Sequence, residues 1–256
     1  MVENVLGVVM DADRVNREKE WHNKTFGTDN RDKVRKYRSV LVPVDNKWER
    51  IILNYVNETT LLLDYGCGDG SRILNMCNRV NRGIGIDISD ARIEQAKSLA
   101  MEKNVNNVDF LIMDAMNTTF ENETFDVIRG GGILHHIDLK DGLNEIKRIL
   151  KTTGVAIFYE PLGTNIFFNL YRKMTPEART IDEQPLRIKD IKLIKSFFPK
   201  AEISYYCFLP LLVVPFKNFK IFDKLLKILF FFDKILLSKY SLFKWLAWQC
   251  IIVLKK

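Results

Sequence analysis

Two carboxylates and three glycines are crowded into the stretch LLLDYGCGDGSR, Leu61 to Arg72. An apolar run that breaks into Gly66, Gly68 and Gly70 brings backbone N–H groups close to a ligand, because glycine accepts both positive φ and close approach. Phosphate is the usual guest of such a turn. Here Asp64 and Asp69 would repel a pyrophosphate, whereas a ligand bearing an ammonium and a second positive centre would be attracted.

Acidic residues recur at the ends of the next apolar runs. Asp87, followed by Ile88, closes GIGIDIS about 20 positions beyond Gly68, where a carboxylate receives ribose hydroxyls in dinucleotide and nucleoside sites alike. Asp114 and Ala115 end VDFLIMDA and are placed to accept from an adenine amine. Arg129 and Gly130 end FDVIRGG, where backbone could hold an amino-acid moiety. One such aspartate alone is more often a helix cap. Four strand ends meeting at one crevice are more specific, and the charge pattern fits S-adenosylmethionine better than a nicotinamide dinucleotide.

These residues require a parallel sheet whose strands end on one edge. From Thr60 onward, short apolar runs alternate with amphipathic segments, which predicts that architecture. Strands are expected at Leu61 to Tyr65, Gly83 to Asp87, Asp109 to Met113, Phe125 to Arg129 and Val155 to Tyr159, with helices at Asp90 to Glu102 and Leu139 to Leu150. Residues 1–58 read as an N-terminal helical cap, VDNKWERIILNYV placing Trp48, Ile51, Ile52 and Tyr55 on one face. Residues 59–256 form the main domain. After Glu160 a turn-rich aromatic stretch reads as a lid insertion near 161–187. A helix at Ile188 to Phe198 and strands at Ala201 to Phe208 and Trp248 to Leu254 follow. Between those strands lies an amphipathic apolar segment near 216–245, FKNFKIFDKLLKILFFFDKILL. It lacks a run of about 18 apolar residues and so does not span a membrane. Packing on the sheet or a second copy, anchoring at an interface, and covering a hydrophobic substrate all fit it.

The segments DYGCGDG, GIDIS, DFLIMDA, FDVIRGGGILHHI and RILKTTGVAIFYEPLG together resemble the class I S-adenosylmethionine-dependent methyltransferases over Thr60 to Gly163. The resemblance implies an α/β Rossmann-like three-layer sandwich, with a seven-stranded, mostly parallel sheet of order 3-2-1-4-5-7-6 and an antiparallel last strand. It implies that Asp64, Gly66, Cys67 and Gly68 contact the methionine and ribose portions of S-adenosylmethionine, Asp87 and Ile88 the ribose, Asp114 and Ala115 the adenine, and Arg129 and Gly130 the amino-acid end. Cys67 is then a packing residue. The N-terminal helices would close over the cofactor, with Trp21, His22 or Tyr37 as candidates. Tyr65 departs from the family's usual small or aliphatic residue.

Methyl transfer from a positive sulfur needs alignment, exclusion of water and, for oxygen or nitrogen acceptors, a base. No metal is required. His135 and His136 follow the fourth strand and Glu160 the fifth, which makes them the candidate catalytic groups; a structural turn and a lid ion pair are the plainer readings. Tyr171, Arg179 and Glu183 in the lid are candidate acceptor contacts. The function expected is methylation of oxygen or nitrogen in a small or lipid-like molecule. The rival is a catalytically silent module of the same fold docking on a membrane or protein partner.

Composition sets the bounds. The 256 residues suit one large domain, and 47% hydrophobic with 28% charged residues excludes a disordered chain. Four cysteines without a CxxC pair read as reduced thiols, and no basic-then-apolar leader is evident, which points to the cytoplasm, with peripheral membrane contact as a variant. Residues 151–256 hold 18 Lys and Arg against 8 Asp and Glu, whereas residues 1–150 hold 21 against 24. A basic half suits an anionic surface or a solvated lysine face. RGGGILHH in place of an NPPY-type segment disfavours base methylation on nucleic acid. A homodimer through the apolar segment remains open at this point.

Overall fold

Seven strands form one sheet in the computed structural model: β1 (Leu61–Tyr65), β2 (Arg82–Asp87), β3 (Val108–Ile112), β4 (Phe125–Gly131), β5 (Leu150–Pro161), β6 (Glu202–Tyr206) and β7 (Gln249–Lys255). Their order is β3-β2-β1-β4-β5-β7-β6. The first five run parallel, and β7 lies antiparallel between β5 and β6, as the resemblance implied. The structure describes residues 2–24, 37–174, 180 and 182–256, and their side chains except at 2–12, 166, 167, 171 and 174.

The described helices are α1 (Val2–Lys24), α2 (Arg38–Leu53), the single turn α3 (Ser71–Leu74), α4 (Asp90–Glu102), α5 (Leu139–Ile149), α6 (Ile166–Met174), α7 (Ile188–Phe197) and α8 (Phe222–Lys239). Because side chains alternate along a strand, each strand feeds two cores. Leu62, Ile157 and Ile251 join α2, α3 and α4 on one face. Leu63, Phe158 and Ile252 join α5 and α7 on the other.

Helix α2 places Val40, Val44, Trp48 and Ile52 at intervals of four residues and buries all of them in the core shared with the sheet. One boundary differs from the sequence reading. Strand β5 starts at Leu150 and runs through Pro161, because both ends find partners: Leu150 beside Phe125 and Pro161 beside Gln249. The apolar segment is interrupted. It forms a 3-10 stretch at Leu209–Phe216, then α8, then a second 3-10 turn at Ser241–Leu246. Among the described residues, no helix is long and apolar enough to cross a membrane.

Candidate active site

A cleft of about 280 Å³ opens where β1, β2 and β4 end, and Asp64, Gly66, Gly68, Asp87, Asp114 and Gly132 are on its wall. Parallel strands that end together leave such a crevice outside their carboxyl ends. The glycine turn is fixed to β2 from below, since the N–H groups of Gly66 and Cys67 donate to the Ile86 carbonyl at 2.9 and 2.8 Å. Gly66 and Gly68 have φ of 76° and 56°, the left-handed region that a side chain strains. Cys67 is buried, and burial pushes its thiol well up, so it packs and does not attack.

Each expected aspartate has a distinct set of partners. Asp87 Oδ2 accepts from the Gly68 N–H and Oδ1 from the Ser89 N–H, both at 2.9 Å, which joins the glycine turn to the start of α4. Asp114 Oδ1 accepts from the Met116 N–H at 2.8 Å. Asp69 Oδ1 accepts from Ser71 N–H and Oγ–H, so this carboxylate caps α3 while also lining the cleft. Tyr65 donates its hydroxyl to the Ala115 carbonyl, which anchors the loop after β3 to β1 and gives the unexpected tyrosine a purpose. Ile88 and Ala115 line the cleft as expected.

Asp64 is 2% exposed and lies 3.4 Å from Arg129 Nε, yet its Oδ2 has no hydrogen-bond partner among the described residues. Burial pushes its carboxyl up, and the positive charges of Arg129 and Arg72 pull it back.

Arg129 and Gly130 are not brought to the cleft wall. Arg129 is fully buried, donates to Glu49 at 2.7 and 3.3 Å, and stacks on Trp48 with its guanidinium 4.4 Å from the ring centre. Gly130 faces Phe158 and Ile133, where an added Cβ would come within 2.7 Å. One residue further, the strand has turned, and Gly131, Gly132 and Ile133 line the cleft instead.

The two histidines part company. His135 is buried and its Nδ1 meets Glu160 Oε2 at 2.7 Å, while Glu160 Oε1 accepts the N–H groups of Ile133 and Leu134 at 2.9 Å. Neither His135 nor Glu160 is on the cleft wall; together they pin the turn that follows β4. His136 is on the wall, with Nδ1 3.2 Å from Glu18 Oε2 on α1. His22, also on α1 and on the wall, approaches the same oxygen at 3.5 Å through Nε2, and Thr180 donates to the other at 2.5 Å. Burial alone would raise the Glu18 carboxyl, but the hydrogen bonds from His136, His22 and Thr180 outweigh it and hold the group well below its usual range. Donor atoms of Glu18, His22 and His136 lie within 4.8 Å of one another, as do those of His135, His136 and Glu183.

Other expected residues fall elsewhere. Tyr37 packs edge-on against Phe168 and Trp248, and Trp21 against His22. Glu183 pairs with Arg172 at 2.6 Å. Arg179 and the Tyr171 side chain lie outside the described residues. The reading missed Glu18 and Arg14, both on the wall. Glu18 and His22, four apart on a helix, share a face, which was the available signal.

Residues 62–154 match the family model described as a methyltransferase domain. That stretch is similar to methyltransferase domains, in agreement with the resemblance to the class I S-adenosylmethionine-dependent methyltransferases. The chain is 34% identical over 161 residues to a demethylmenaquinone methyltransferase of Lactococcus lactis, covering 55% of this chain and 64% of that one. It is 34% identical over 119 residues to protein MJ1252 of Methanocaldococcus jannaschii, covering 44% and 43%. The chain thus spans less than two thirds of the length of these curated relatives. In fold it is similar to a geranyl diphosphate C-methyltransferase of Streptomyces coelicolor solved with Mg2+, geranyl diphosphate and S-adenosyl-L-homocysteine, at TM-score 0.60 and 14% identity over 84% of this chain and 80% of that one.

Proposed function

We propose that this chain transfers a methyl group from S-adenosylmethionine to an oxygen or nitrogen of a small or lipid-like molecule. The carrying observation is the Asp64 carboxylate, buried on the cleft wall with one oxygen near Arg129 and the other unpartnered. A desolvated acceptor of this kind is costly unless a cation completes it, which suits the ammonium of an amino-acid-bearing ligand. Asp87 would take the ribose with Ile88, and Asp114 the adenine with Ala115. Gly66, Cys67 and Gly68 would carry the turn beneath the ligand, and Gly131 and Gly132 would replace Arg129 and Gly130 at the amino-acid end. When bound, the cofactor supplies a methyl group on a positive sulfur, already activated for in-line displacement.

The chain's own residues supply position, dryness and a proton acceptor. Helix α1 lies over the cleft, held by Arg17 to Asp182 at 2.8 Å, Lys19 to Asp90 at 2.8 Å and Ser89 to Asn23 at 2.5 Å, and so excludes water from one side. His136 is the group suited to take a proton from a hydroxyl or amine, with Glu18 as the positioning residue that fixes its ring. His135 and Glu160 support the turn that presents it. A second hollow of about 420 Å³ shares Arg14 and Ile137 with the cleft and combines Leu134, Leu186 and Leu193 with Asp138, Lys140, Lys189 and Asp190, a mixed lining that suits an amphiphilic acceptor. Glu183, beside His136, is the proposed polar contact, with Tyr171 and Arg179 of the same lid. A relative named for demethylmenaquinone supports an apolar acceptor class.

Calorimetric titration with S-adenosylhomocysteine tests the reading, with Asp87→Ala and NADH as controls. Binding that the substitution weakens and NADH does not reproduce supports it, and justifies screening acceptors with labelled methyl donor. A folded sample that binds no adenosyl ligand overturns it in favour of the silent docking module.

A further inference from the structure

Strands β6 and β7 are neighbours, with Tyr206 paired to Gln249, yet residues 207–248 intervene between those two positions. Gln249 also pairs with Pro161, the last residue of β5, so this insertion leaves the sheet at the edge where the cleft opens. Its anchoring side is well built. Phe222, Leu226, Asp233 and Leu237 of α8 are buried, and Asp233 accepts the N–H groups of Cys207, Phe208 and Leu209 at 3.0, 3.2 and 2.7 Å.

The other side of α8 is apolar and uncovered. Ile228, Phe231, Phe232 and Ile235 fall at the spacing of one helical stripe, and Phe231 and Phe232 are 62% and 52% exposed. Phe219 and Leu242, at 63% and 75%, continue the patch on either side of the helix. Lys220, Lys227 and Lys234 form a flank along the stripe, all exposed. Residues 207–248 contain seven lysines against two aspartates, and one of the two, Asp233, is the buried anchor.

We propose that this insertion docks the protein on an anionic lipid bilayer, with the α8 stripe in the acyl boundary and the lysine flank among the headgroups. An apolar stripe beside unneutralised lysines is the composition that partitions into such an interface, each lysine contributing about 1 kcal/mol. A second copy is the weaker occupant, because a two-fold contact through this face would bring lysine flanks together with one exposed aspartate per chain to offset them.

The test is co-sedimentation of the full chain with vesicles of phosphatidylcholine alone and of phosphatidylcholine mixed with phosphatidylglycerol. The expected result is partitioning to the anionic vesicles that falls with salt. Changing Lys220, Lys227 and Lys234 together to Gln should weaken it on the order of a hundredfold, and Phe231→Glu with Phe232→Glu should abolish it. All these side chains are exposed, and unchanged thermal unfolding and S-adenosylhomocysteine binding confirm intact variants. No partitioning to anionic vesicles overturns the proposal, as does partitioning that the variants leave unchanged. Self-association abolished by Phe231→Glu, without vesicle binding, also overturns it and assigns the face to a second copy. Cofactor binding is scored separately, so either result stands without the other.

Discussion

Asp64 and Arg129 lie on adjacent strands with Oδ1 3.4 Å from Nε, and the second oxygen of Asp64 is left over on the cleft wall. Burial raises this carboxyl in the free protein, whereas a bound cation favours its ionised form. Affinity for S-adenosylhomocysteine should therefore fall as pH is lowered through the raised range of this carboxyl, with a proton released on binding. Asp64→Asn should lower affinity about 10- to 100-fold, the worth of a charge-assisted hydrogen bond, and flatten the pH dependence. Calorimetry in buffers of different ionisation enthalpy measures both; a variant that keeps the slope would show that another group sets it.

Removing Arg129 should unfold the protein more readily, although its own side chain is not on the cleft wall. Arg129→Ala strands the buried Asp64 carboxylate, leaves half-buried Glu49 to Arg72 alone and empties the space over Trp48, at a cost of about 3–5 kcal/mol. Arg129→Lys should recover little, because an ammonium cannot reproduce the forked contact to Glu49. Urea unfolding of both variants decides this, and a near-wild-type Arg129→Lys would contradict it.

The hold of α1 over the cleft should depend on the charge of Glu18. Its folded carboxyl is held below the ordinary value of 4.5, so its contribution is present above that pH and is lost as pH falls below it. Glu18→Gln should raise amide exchange across α1 at neutral pH and remove that acid-dependent loss. Exchange confined to other helices would break the link between this carboxylate and the cap.

Asp233 has the opposite sign. Burial raises its carboxyl from 3.8 to about 6 despite three backbone donors, so the folded protein holds a proton that the unfolded chain has already given up. The stability this residue adds over Asp233→Asn should shrink as pH rises from about 4 to about 6, by on the order of 3 kcal/mol, and stay constant above that. Parallel denaturation series of the two proteins at several pH values measure the gap.

What the sequence determined alone was whatever depends on local spacing. Alternating apolar runs fix strand positions to within a few residues, because burying both faces of a parallel strand demands them. The glycines of DYGCGDG announce a turn that needs left-handed backbone, and GIDIS and DFLIMDA announce strand ends carrying carboxylates. Together they direct Asp64, Asp87 and Asp114 to one crevice, and all three line the cleft.

Tertiary structure decided which neighbour each polar group meets across the chain. Glu18 and His136 are separated by 118 positions, and Asp233 reaches back to the N–H groups that follow β6. Nothing local distinguishes those carboxylates from the solvated ones around them. Arg129 was expected at the cleft because strand ends there usually open into it, but it lies two residues before the end of β4 with its guanidinium over Trp48, and the wall begins at Gly131, which has no side chain to fill it. His135 and His136 show the same limit, since adjacent residues point apart and only the fold reveals which one meets the cleft. Local spacing is written in the chain, whereas contacts between distant elements exist only once the sheet has brought them together.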